Sequence, residues 1–120
     1  IEQHFTNGVY WVLCPESNRF ISRTEPPVET LRNAGVKIAI GTDSLASARH
    51  LSMVENMRLL GDIPLDELLI WATRNGAEAL GLESSLGDIR VGTTPGIVVI
   101  EGADLQNMRV TDQTRSRRII

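Results

Sequence analysis

A chain of 120 residues with 42% hydrophobic and 22% charged side chains has the make-up of one globular domain. A net charge of −3 and a pI near 5.3 argue against a nucleic-acid-binding surface. No apolar run reaches the ~20 residues that a membrane-spanning helix needs. The single cysteine excludes an internal disulfide and points to a reducing, cytoplasmic setting.

The chain opens on Ile1-Glu2-Gln3, not Met, which fits a processed product, a cut domain or part of a longer chain, and the motifs below favour a piece of something larger; no charged-then-apolar leader is visible. The nearly continuous apolar run Val9–Cys14 predicts a strand buried on both faces, as parallel sheets require. Pro15-Glu16-Ser17-Asn18 is expected to break it. Pro26-Pro27 then opens a short helix with Val28 and Leu31 on one face, stopped at Gly35. Val36–Ile40 is the second buried strand, and the order strand, helix, strand predicts a right-handed parallel crossover. After a polar loop, Ser52-Met53-Val54-Glu55 has the form of a capping box, with Val54, Met57 and Leu60 on the inner face. A further helix begins near Leu65, and Asn75-Gly76 is expected to kink or end it before Ala77–Leu80. Beyond Gly81 the pattern becomes short strands between Gly, Pro and Asp turns: Ile89–Val91, Ile97–Ile100 and Arg118–Ile120. A boundary near residues 81–86 therefore divides an α/β part, 1–82, from a mostly β part, 83–120.

The triplet Gly41-Thr42-Asp43 places a carboxylate where a parallel strand runs out, the end at which α/β folds gather ligands and catalytic groups. Taken alone, Asp43 could cap the next segment, bind metal or move a proton. Cys14 to Arg19 is one residue short of a C-x5-R phosphate cradle, and Glu16 within it would repel phosphate and raise the thiol pKa. Ser17 and Asn18 could orient a ligand or hold a turn. His4 and His50 stand far apart, at no metal-ligand spacing, so this chain cannot assemble the usual three or so ligands of a hydrolytic metal site by itself. Trp11 and Trp71 read as core, and Arg115, Arg117 and Arg118 as a solvated edge whose charge discourages pairing.

Taken in order, Cys14-Pro15-Glu16-Ser17-Asn18, Ala34-Gly35-Val36, Gly41-Thr42-Asp43-Ser44-Leu45-Ala46-Ser47, Leu51–Met57 and Ala72-Thr73-Arg74-Asn75-Gly76-Ala77 resemble the C-terminal part of the amidohydrolase superfamily. The nearest branch is the chlorohydrolase and aminohydrolase group, which includes adenosine, S-adenosylhomocysteine and guanine deaminases. The resemblance implies an α/β fold: the last βα units of a metal-dependent (β/α)8 barrel over 1–82, then strands of a small β-sandwich over 83–120. It implies that Asp43 is both metal ligand and catalytic proton carrier, with Ser17, Asn18 and Ser44 at the substrate pocket. The implied activity is water-dependent cleavage of a C–N or C–Cl bond in a small heterocyclic substrate, with Zn²⁺ or Fe²⁺ as the cofactor of the whole enzyme. Leu13 stands where the family has His, and Ala48 where relatives often have Asn, which weighs against a nucleoside-type deaminase. The family's metal histidines lie upstream of the matched stretch, so the chain alone is expected to hold no metal and to be inactive. Its unpaired strand edges are expected to cause self-association or partial disorder of the isolated chain. The competing expectation is a stand-alone α/β binding or interaction module without catalysis.

Overall fold

A computed structural model describes residues 8–120, an α/β arrangement with two small sheets. Strands β1 (Tyr10–Leu13) and β2 (Lys37–Ile40) pair in parallel, Tyr10 opposite Lys37 and Leu13 opposite Ile40. Parallel neighbours need a crossover, and α1 (Pro15–Ile21) and α2 (Val28–Asn33) supply it. Ile38, Ala39 and Ile40 are all buried, as a strand covered on both faces should be. β1 departs from that expectation: Val12 is 57% exposed, because among the described residues nothing packs over its side of the sheet.

The strand ends before Pro15 as expected, and a helix follows at once. Pro15 occupies the first turn of α1, where a missing N–H costs nothing and its fixed φ already suits a helix. α2 ends as expected, with Gly35 at φ +64°. In α3 (Met53–Leu59), Ser52 Oγ accepts the Glu55 N–H at 3.3 Å, while the Glu55 carboxylate turns to Arg58, so half of the expected capping box forms. α4 (Leu65–Ala72) and α5 (Arg74–Ala79) meet at Thr73, whose Oγ1 donates to the Leu69 carbonyl at 2.7 Å. The break thus precedes Asn75-Gly76, which lies inside α5. There the Asn75 amide donates to the Ile38 carbonyl on β2 at 2.7 Å.

Leu13, Leu31, Ile38, Ile40, Met57, Leu60, Leu68 and Trp71 form one core cluster between these helices and the sheet. Each fully buried side chain of this kind contributes roughly 1.5–3 kcal/mol. Trp71 is buried as expected, whereas Trp11 is only partly buried against the cluster, and its indole N–H has no partner among the described residues.

The remainder is less regular. No strand forms at Ile89–Val91: Thr93 Oγ1 accepts the Arg90 N–H and donates to the Asp88 carbonyl, closing a turn that leaves Val91 fully in solvent. β3 (Val98–Glu101) pairs antiparallel with β4 (Arg115–Arg118), so the terminal strand starts three residues before the predicted Arg118. The arginines lie as expected on an exposed edge strand, with Arg117 meeting Glu101 at 3.3 Å across the ladder. Arg58 of α3 ties this region down, donating to the Thr111 carbonyl at 3.1 Å and the Thr114 carbonyl at 2.9 Å. Among the described residues no helix is long and apolar enough to cross a membrane.

Candidate functional site at the strand exits

The Gly41 N–H donates to the Leu13 carbonyl at 2.8 Å, carrying the parallel pairing one step beyond β2. A Cβ at Gly41 would meet Cys14 Sγ and Val12 Cγ1, each at 3.1 Å, so the two strand exits approach closely here. Asp43 then adopts φ +57°, a left-handed conformation that Asp tolerates better than most residues.

The carboxylate is gripped at one oxygen. Ser17 Oγ, from the first turn of α1, donates to Asp43 Oδ2 at 2.7 Å, and Ser47 Oγ donates to the same oxygen at 2.6 Å. Both serines are buried while Asp43 is exposed. Oδ1 receives no side-chain hydrogen bond among the described residues. The hydroxyls of Ser17 and then Ser47 hold the carboxyl below its ordinary 3.8, so near neutral pH it is an anion with one oxygen committed.

Burial first, and the charge of Asp43 second, push the Cys14 thiol up; the charge responsible is Asp43 and not Glu16. Arg19 pairs with Glu25 at 2.7 Å on the exposed side of α1, so no phosphate cradle forms. The expected pocket residues separate. Ser17 touches Asp43. Ser44 is exposed and organises the turn, its carbonyl accepting the N–H groups of Ser47 and Ala48 at 3.0 and 2.9 Å. Asn18 is part of α1 with no side-chain hydrogen bond to the carboxylate. Ser47 was not anticipated; a hydroxyl four residues after an Asp is the signal that points to it. Leu13 belongs to the apolar core, so its side chain adds nothing polar or otherwise at Asp43. An open groove of about 880 Å³ adjoins the site behind Ser47, lined by Glu16, Phe20, Leu45, Arg49 and Leu59.

Among the described residues no three His, Cys, Asp or Glu side chains lie together as a metal cage. His50 is exposed, and His4 lies outside the described residues. The donor set therefore fits a divalent cation only as the source of one carboxylate oxygen.

A model of the amidohydrolase family matches residues 2–120. The 5-methylthioadenosine/S-adenosylhomocysteine deaminase of Moorella thermoacetica is 36% identical over 99 residues, covering 73% of this chain and 23% of that protein. An adenosine deaminase from Xanthomonas campestris, solved with bound Zn, superposes with a TM-score of 0.70 at 33% identity, over 78% of this chain and 24% of that one. Helicobacter pylori aminofutalosine deaminase gives a TM-score of 0.69 at 25% identity, over 93% of this chain and 33% of that one. The chain spans roughly a quarter of the length of the curated relatives it matches.

Proposed function

The chain belongs to the amidohydrolase family, and we propose that it is the C-terminal segment of a metal-dependent hydrolase that removes an amino group from a heterocyclic substrate. In this reading residues 1–82 are the last βα units of a (β/α)8 barrel and 83–120 are strands of a small sandwich. The observation that carries it is the arrangement of Asp43: an anionic carboxylate at the exits of two parallel strands, with Oδ2 committed to Ser17 and Ser47 and Oδ1 free of side-chain donors among the described residues. A bound Zn²⁺ or Fe²⁺, held mainly by ligands from elsewhere in the whole enzyme, would supply an acidified water. Asp43 would offer Oδ1 to that site and accept the proton that the water loses as it adds to the substrate carbon. The amine leaves as ammonia, so the balance is one water consumed and one C–N bond replaced by C–O. A C–Cl bond could be cleaved by the same attack, with chloride leaving. Ser17 and Ser47 keep the carboxylate oriented, and Ser44 shapes the turn that brings Ser47 to it.

The names of the relatives favour aminated purine nucleosides. Leu13 does not oppose this, since it lies in the core. The test is ammonia release by the longer enzyme from adenosine, 5′-methylthioadenosine and guanine. Turnover should need a divalent metal, disappear on chelation, and fall at least about a thousandfold in Asp43→Asn, as expected when a group acting in the transition state is removed. Unchanged turnover in Asp43→Asn would overturn the assignment. The 120-residue chain alone should release no ammonia.

A further inference from the structure

Two neighbouring residues of α1 grip opposite ends of the loop that follows β2. Ser17 Oγ holds Asp43 at the loop's start, 2.7 Å away. Glu16 Oε1 accepts the N–H of Arg49 at the loop's end, at 2.9 Å. Between the grips the chain turns on the Ser44 carbonyl, and that turn delivers Ser47 Oγ to Asp43 Oδ2 at 2.6 Å.

Glu16 is itself held from a third element. The position before α1 is Cys14, which makes no side-chain cap, and Pro15 has no N–H to offer. The Glu16 N–H is therefore the first orphan donor of the helix. Asn56 on α3, wholly buried, accepts it through Oδ1 at 3.1 Å and anchors its own Nδ2 on the Ser52 carbonyl at 3.0 Å. This is an N-cap supplied in trans. The second carboxylate oxygen of Glu16 is buried with no partner among the described residues, a cost that a merely solubilising side chain would avoid by turning to water.

We propose that Glu16 is a positioning residue for Asp43. By closing the 43–49 loop onto α1, it keeps Ser47 on Oδ2 and so fixes which oxygen of Asp43 is left without a hydroxyl donor. The chemical meaning of that orientation rests on the function proposed above; the clamp itself does not.

Amide hydrogen exchange of the 120-residue chain, read by NMR, tests the clamp without metal or substrate. In Glu16→Ala, exchange at Ser47 and Arg49 should quicken about five- to tenfold, the loss of one hydrogen bond, with Asn18 in α1 and Ser22 at its C-cap unchanged. Glu16→Gln keeps the accepting oxygen and should match the parent chain. Glu16→Asp withdraws that oxygen by one methylene and should loosen Ser47 even if Glu16→Ala does not fold. Equal quickening within α1 would show a general helix effect and overturn the proposal, as would unaltered exchange at Ser47 and Arg49. In the longer enzyme, Glu16→Ala should lower kcat about tenfold at nearly constant KM, and Glu16→Gln should restore it. Activity lost in Asp43→Asn but kept in Glu16→Ala would overturn the positioning role and leave the function standing. Activity kept in Asp43→Asn would overturn the function, while the exchange data would still judge the clamp.

Discussion

Every buried apolar side chain among the described residues lies between Leu13 and Ala77, whereas from Leu82 to Ile120 only Thr114 is buried. The first region is cemented by non-directional packing around Leu31, Ile38 and Leu68. The second is fastened to it mainly by directional bonds: the Arg58 guanidinium on two carbonyls, and the Leu65 N–H on the Met108 carbonyl at 2.8 Å. Ala103 and Val110 are its apolar footholds on the core. The difference teaches why the site sits where it does. A carboxylate held to a fraction of an ångström needs a scaffold that resists many small displacements at once, and dense packing provides that. A hydrogen-bonded latch fixes a region's position but not its interior.

The sharpest way to break this contrast is Leu68→Ala. Leu68 is 0% exposed, and the change should cost about 3–5 kcal/mol by urea unfolding, loosening both regions together. A loss under about 1 kcal/mol would mean the first region is not packed as described. Arg58→Met should come next, at about 2 kcal/mol, because it strands two carbonyls. Its signature should be local: amide exchange should rise across 111–118 and stay unchanged in β1 and β2. Equal loosening of both sheets would erase the distinction. The smallest effect concerns pH. Lys37, and after it Tyr10, hold the Glu78 carboxyl below its ordinary 4.5. A carboxylate whose folded value is depressed stabilises the fold above 4.5, and that share is lost as the pH falls below it. Glu78→Gln should therefore lower the neutral plateau of the melting-temperature profile slightly and match the parent chain in acid, so that the fall between the two is shallower. A parallel, undiminished fall would show that Glu78 carries none of it.

The legible parts of the chain were those where one residue type has few alternatives. Gly35 stopped a helix, Ser52 started one, and Gly41-Thr42-Asp43 lay at a strand exit because apolar β-branched runs before a Gly rarely do anything else. Pro15 ended the strand as expected, but a proline that ends strands also begins helices, and the donor it leaves at Glu16 is met by Asn56, 41 residues on from Pro15. Ile89–Val91 misled because three apolar residues satisfy a strand pattern, while Thr93, just beyond them, closes the turn. Ser47 escaped notice because a turn has no periodicity, and its one signal, a hydroxyl four residues after Asp43, is weak until the turn is seen to close. The clamp through Glu16 was invisible for a related reason: its chemistry lies in a backbone N–H, which every residue has.

The bond from Asn75 to β2 has a consequence for how this sheet can grow. In a parallel strand alternate residues direct their N–H and C=O to opposite sides, and the Gly41 N–H goes to β1. Ile38 and Ile40 therefore face the other way, as the sockets for any further strand. A side-chain amide already fills the Ile38 socket. A strand arriving on that flank must evict Asn75 or share the carbonyl, and otherwise finds its footing only toward Ile40, beside the exit that leads to Asp43. One asparagine thus makes an open flank selective, rationing it toward the end where the chemistry lies.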